Sequence, residues 1–300
     1  MDDRRLKTYL IAAFLILDVF LAAPLLAAWW GSGGGTPGGG SEVNGEEQLK
    51  KAGIPFVGQP PGKVPAAMAL LTLSYGQVDP SGLVPPGAQA LGGAPGTQIF
   101  RWSGGQLVTI DPGFVWYRME RSREGCPPGA AQNPRDVAEA FLAAHLPSLA
   151  GHLTVDLVAA EGSCRWAVYF HQRFESYPLW GSVGEDLSEK GRPVSGPAKM
   201  TVGPEGVESL SLMLLQPQGF AVKPQPILPW WEALLRLAPY LSPDEDILSV
   251  TLGYFADIYC PVERFQVPPV WQVKTSAAVY YVNAYSGLLE DARSVSCSTP

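Results

Sequence analysis

The first thirty residues constrain this chain more than any other stretch. A short basic head, Arg4-Arg5-Leu6-Lys7, runs straight into Tyr9-Leu10-Ile11-Ala12-Ala13-Phe14-Leu15-Ile16-Leu17 and on to Trp29-Trp30. Drawn as a helix, Tyr9 to Trp30 spans roughly 33 Å at about 1.5 Å per residue, enough to cross a hydrocarbon core of about 30 Å. Arg4, Arg5 and Lys7 are expected to stay in the cytoplasm, which makes residues 1–8 a cytoplasmic head and residues 9–30 a transmembrane anchor. A cleaved secretory signal would have a shorter apolar region and a small-x-small site. Here Ala27 and Ala28 have Leu25 and Leu26 two residues before them, and the paired tryptophans read as an interfacial belt. The expected localisation is therefore the cell membrane, single-pass, with the bulk of the chain extracytoplasmic.

Asp18 lies inside that span, where a carboxylate near the bilayer centre costs about 2.5–3.5 kcal/mol on insertion scales. Two readings follow. A long apolar helix tolerates one acid, or Asp18 pairs with a polar group on the membrane helix of a partner. In the second reading Phe14 and Leu21, three to four residues away on the same helical face, complete the contact surface.

The remaining composition excludes several classes. Of 300 residues 46% are hydrophobic and only 16% charged, so the exported part has ample material for a core. A net charge of −7 with no basic run beyond the head argues against nucleic acid as a partner. Thirty-three glycines and twenty-nine prolines point to turns and short strands rather than a helical bundle. The four cysteines, Cys126, Cys164, Cys260 and Cys297, all follow the anchor, where disulfides persist. Pairing sequence neighbours would keep each bridge within one structural block, and free thiols are the other reading.

Along the chain, residues 31–50 are expected to form a glycine-rich flexible linker, and residues 51–96 are broken by Pro and Gly, with an apolar run at 66–75 that fits either a short helix or a strand. Strand signals begin at Thr97–Trp102, turn at Ser103-Gly104-Gly105 and return through Leu107–Ile110. Asn133-Pro134 reads as a helix N-cap and first turn, with Pro147 as its stop. Strand-like runs follow at Leu153–Ala159, Arg165–Gln172, Lys199–Val202 and Val207–Leu215. Pro229 opens a second helix, followed by strands at Ile247–Ala256, Pro269–Thr275 and Ala278–Ala284. A helix followed by an antiparallel meander, twice over, predicts an α+β fold of two similar lobes, each a helix packed on an antiparallel sheet: one at residues 97–218, the other at 219–297.

The opening Met1-Asp2-Asp3-Arg4-Arg5-Leu6-Lys7-Thr8, with Phe14-Leu15-Ile16-Leu17-Asp18-Val19-Phe20-Leu21 behind it, resembles the N-terminus of the YycI family of Gram-positive bacteria. Downstream, Pro269-Val270-Trp271-Gln272-Val273 followed by Tyr280-Tyr281-Val282-Asn283-Ala284-Tyr285-Ser286-Gly287 is similar to the PepSY-like end of the YycI and YycH families. Residues 31–96 carry no such resemblance. The resemblance implies a membrane-anchored accessory regulator of the WalK (YycG) sensor kinase, which controls cell-wall metabolism, acting together with a YycH-like protein. It brings no catalytic residues and no cofactor; what it carries over is the anchor helix around Asp18, where the family often has a polar residue.

The residues themselves give no setting for an enzyme. There is no G-x-S-x-G, H-E-x-x-H or S-x-x-K, and no C-x-x-C that would suggest a zinc site. The acids Glu185-Asp186 and Asp244-Glu245-Asp246 fall in turn-like sequence and are expected to be solvated. The alternative to a regulator is a tethered module binding a peptide or wall fragment through an aromatic surface, for which Trp230, Tyr281 and Tyr285 are the candidates.

Overall fold

The computed structural model describes residues 41–111, 113–120, 133–162, 164–181, 197–221, 223–256 and 264–294, with side chains from residue 45 to residue 290. The described residues from Glu42 onward form one compact unit. The anchor expected at residues 9–30, with Phe14, Asp18 and Leu21, lies outside the described residues, as do Glu185-Asp186 and three of the cysteines. Among the described residues no helix is long and apolar enough to cross a membrane.

Helix α1 (Ser41–Lys51) precedes strands β1 (Phe56–Gln59), β2 (Ala67–Met68), β3 (Leu71–Tyr75) and β4 (Gln89–Leu91) and the meander β5 (Thr97–Trp102), β6 (Gly105–Ile110) and β7 (Phe114–Met119). Helix α2 (Pro134–His145) leads into β8 (Leu153–Gly162), β9 (Arg165–Phe174), β10 (Tyr177–Gly181), β11 (Ala198–Gly203), β12 (Gly206–Met213), β13 (Leu215–Phe220) and β14 (Gln225–Pro226). Helix α3 (Trp230–Leu237) is followed by β15 (Ile247–Ala256), β16 (Phe265–Val267), β17 (Pro269–Thr275), β18 (Ala278–Asn283) and β19 (Leu289–Ser294).

This arrangement overturns the two-lobed α+β expectation. Strands dominate, and the two meanders are not separate sheets. They merge into one fourteen-stranded sheet whose order is β19-β18-β17-β15-β10-β9-β11-β12-β7-β6-β5-β4, with β1 on β15 and β8 on β9. The physical reason is β10. It hairpins back on β9 through Tyr177 to Leu179 and then runs parallel to β15, with Leu179, Trp180 and Gly181 opposite Tyr254, Phe255 and Ala256. A pairing between residues so far apart in sequence leaves no local signature, and Pro178 and Gly181 hide the strand itself. The junction also needs Gly253, since a Cβ there would lie 2.4 Å from the Pro178 carbonyl oxygen. The ambiguous run at 66–75 is extended, and β3 pairs with β13 and β16 in a small second sheet.

The helices start where local chemistry places them. Asn133 caps α2 by accepting a hydrogen bond from the Arg135 amide, and Pro134 fills the first turn, where a missing N–H costs nothing. Ala138 and Leu142 of α2 join a core with Leu107, Val168, Met200 and Leu210. The buried face of α3, Trp230, Ala233, Leu234 and Leu237, joins a second core built on Trp271, Val273, Tyr280 and Val282.

Strand alternation then creates a third, smaller cluster on the reverse side of β17 and β18. Val270, Val279 and Tyr281 point away from α3 and pack with Trp180 and Phe255, with Leu157 of β8 against them. The Phe255 and Tyr281 rings are stacked at 4.3 Å, and Trp180 lies 5.6 Å from Tyr281. These strands are therefore buried on both faces.

Candidate functional site

Beside this third cluster, four strands bring together a group of polar side chains around Asp156. In β8, Val155 pairs with Phe170 and Leu157 with Tyr169, which leaves Asp156 as the extra residue of a β-bulge. Bulges bend a strand and re-aim a side chain. Here the bulged carboxylate meets β17. Lys274 Nζ donates to Asp156 Oδ1 (2.9 Å) and to its backbone oxygen (3.0 Å), and Gln272 Nε2 donates to Oδ2 (3.1 Å) and to the Tyr281 hydroxyl (3.1 Å). Gln272 and Lys274 reach this side because they alternate with the core residues Trp271 and Val273.

From β9, His171 brings Nδ1 to 3.6 Å from Asp156 Oδ1, with its ring 6.3 Å from that of Trp180. That separation is too long for a hydrogen bond. Among the described residues, His171 Nδ1 and Trp180 Nε1 are both buried without a hydrogen-bond partner. The Asp156 side chain is only 12% exposed. Burial pushes its carboxyl upward, but His171 and the Lys274 ammonium outweigh burial and hold it well below the usual carboxylate range. The carboxylate thus stays charged and pins β8 to β17.

The sign of the pH dependence follows. A carboxyl with a lowered folded-state pKa stabilises the fold above its unfolded value near 4, and that contribution is lost as the pH falls through the lower, folded-state value. Thermal denaturation between pH 5 and pH 2 is expected to show a smaller loss of stability in Asp156→Asn than in the wild type. Parallel profiles would show that Asp156 does not supply the acid sensitivity.

The aromatic surface expected from Trp230, Tyr281 and Tyr285 is not formed. Trp230 is 3% exposed and Tyr281 1%, which places both in the interior rather than on a ligand face. Tyr285 is partly buried, and its hydroxyl donates to the Met68 carbonyl oxygen at 2.7 Å. Both members of the Tyr280-Tyr281 pair are core residues because the sheet is covered on both sides. Glu245, expected to be a solvated loop acid, is 2% exposed. It accepts hydrogen bonds from the Thr275 hydroxyl, the Tyr280 hydroxyl and the Ser242 amide, and so ties the turn before β15 to the end of β17. Cys164 is disulfide-bonded.

The sequence reading missed Asp156, His171, Gln272 and Lys274. The signal for Asp156 was a lone acid inside the apolar run from Leu153 to Ala159. On β17 it was the alternation of Gln272 and Lys274 with Trp271 and Val273.

Among solved structures, the chain is similar to an uncharacterized protein from Eubacterium rectale ATCC 33656, at 11% identity and a TM-score of 0.47, with 75% of this chain and 86% of that one covered. It is also similar to the C-terminal domain of Bacillus megaterium YpeB, at 11% identity and a TM-score of 0.39, with 85% of this chain and 97% of that one covered. No family model and no curated protein matches the chain.

Proposed function

We propose that this protein is a single-pass, membrane-anchored accessory regulator, without catalytic chemistry of its own, that acts on a cell-wall sensor kinase through contacts in the membrane and outside it. The observation that carries the reading is the order of parts: a basic head, an apolar span of membrane length, a glycine-rich spacer, then a compact β-rich body. The disulfide at Cys164 is in keeping with an oxidising compartment for that body. The YycI-like N-terminus and the PepSY-like C-terminal pattern support a WalK (YycG)-type kinase and a YycH-like protein as partners. A single helix cannot carry a signal alone, but it can pack against a kinase's helices and bias which of two states they occupy.

Exchange of residues 9–30 for an unrelated membrane helix is the test. The body should still be exported and membrane-bound, while its effect on phosphorylation of a co-reconstituted WalK-type kinase is lost. Full regulation by the exchanged protein would place the function in the body alone.

A further inference from the structure

The first meander carries a polar cleft that the regulatory reading does not use. It has a volume of about 450 Å³ and lies where the loop after β3 meets the start of β5, the end of β6 and the start of β7. Its frame is fixed by backbone contacts. The Asp111 amide donates to the Gly96 oxygen (2.8 Å), the Gly113 amide to the Ile110 oxygen (3.1 Å), and the Gly76 amide to the Leu214 oxygen (2.8 Å). Gly113 has φ +132°, and a Cβ there would lie 2.0 Å from the Gly76 oxygen, so only glycine lets the β6–β7 turn close onto the loop.

With the backbone satisfied in this way, the side chains of Gln77, Thr97, Gln98, Thr109 and Asp111 make no hydrogen bond or ion pair among the described residues, although all five line the cleft. Gln98 and Thr109 stand directly opposite each other across the β5–β6 pair and so share a face. Among the described residues the lining holds amides and hydroxyls, each able to donate and accept, with one carboxylate and no cation. Among the described lining residues an anionic ligand would find no counter-charge, and a purely apolar one would use none of these hydrogen-bonding groups. The volume falls within the usual range for small-molecule sites.

We infer that this cleft binds a neutral polyhydroxylated ligand, a saccharide of one or two rings held in the cleft. Its hydroxyls would replace the water on the exposed Gln77, Gln98 and Asp111 side chains, donating to Asp111 and the glutamine oxygens and accepting from the glutamine amide and the half-buried Thr97 and Thr109 hydroxyl groups, while Val78 and Ile110 offer partly buried apolar surface to the ring C–H face. The inference does not depend on the regulatory reading, because it concerns binding alone.

Saturation-transfer NMR on the full chain in lipid nanodiscs tests it, with N,N′-diacetylchitobiose and maltose as neutral probes and citrate as the anionic control. Ring-proton signals are expected from at least one of the saccharides and none from citrate. The signal should fall at least fivefold in a Gln98→Ala/Thr109→Val variant and, as a second probe of the same cleft, in Asp111→Asn, while Asp156→Asn leaves it unchanged. Absence of signal from both saccharides, citrate binding, or saccharide signals undiminished in a folded cleft variant would overturn the proposal.

Discussion

Replacing Trp271 by alanine is expected to destabilise the body by about 3–5 kcal/mol, the range for large aromatic truncations in a closed core. Trp271 is fully buried, and its indole donates to the Leu228 carbonyl oxygen at 3.0 Å, so truncation opens a cavity and removes the partner of a part-buried acceptor at once. Leu228 immediately precedes Pro229 and α3, so the loss falls on the seam where α3 sits on β17. Against a typical total of about 5–15 kcal/mol this is a large fraction, readable as a fall in Tm of roughly 10 °C. A shift of less than a few degrees would mean that the core around α3 is not packed as described.

The second large effect concerns the Asp156 pin. Lys274→Met is expected to cost about 2–4 kcal/mol, because it removes the ammonium and leaves a mostly buried carboxylate with only the Gln272 amide and the His171 ring, 3.6 Å away, beside it. The penalty lies chiefly in the stranded charge, so neutralising both partners should cost less than removing the cation alone. In a double-mutant cycle, Asp156→Asn/Lys274→Met should be more stable than Lys274→Met by about 1 kcal/mol or more. Additive losses would show that the two groups are not coupled and that β8 is held to β17 by apolar packing.

Much of the fold was legible wherever the determinant was local. The Asn133-Pro134 start of α2, the turn at Ser103-Gly104 between β5 and β6, and the long strands β15, β17 and β18 all lie where capping, turn chemistry and alternation place them. What could not be read was pairing. Whether two meanders form two sheets or one depends on β10 crossing from β9 to β15, and nothing in Tyr177-Pro178-Leu179-Trp180-Gly181 announces a parallel partner more than seventy residues downstream. The candidate site failed for a related reason. Trp230 and Tyr281 look like surface aromatics if each sheet has one wet face, but here both faces are covered. Asp156 and Glu245 look like ordinary exposed acids until the partners on β17 and β18 arrive from far along the chain.

The buried cluster of Trp180, Phe255 and Tyr281 and the ionic pin beside it hold β8 against the reverse side of β17 and β18. In the proposed regulator this body is the exported part, and its effect reaches the kinase through the anchor. That link is tested most directly by photo-crosslinking in membranes, with a photoreactive residue placed in turn at each position from Phe14 to Leu21, including Asp18. The account predicts capture of a sensor kinase at a helical period, strongest at Phe14, Asp18 and Leu21 and weak between them. No capture at any position, from a chain whose body is folded and exported, would contradict it and reduce the anchor to a tether.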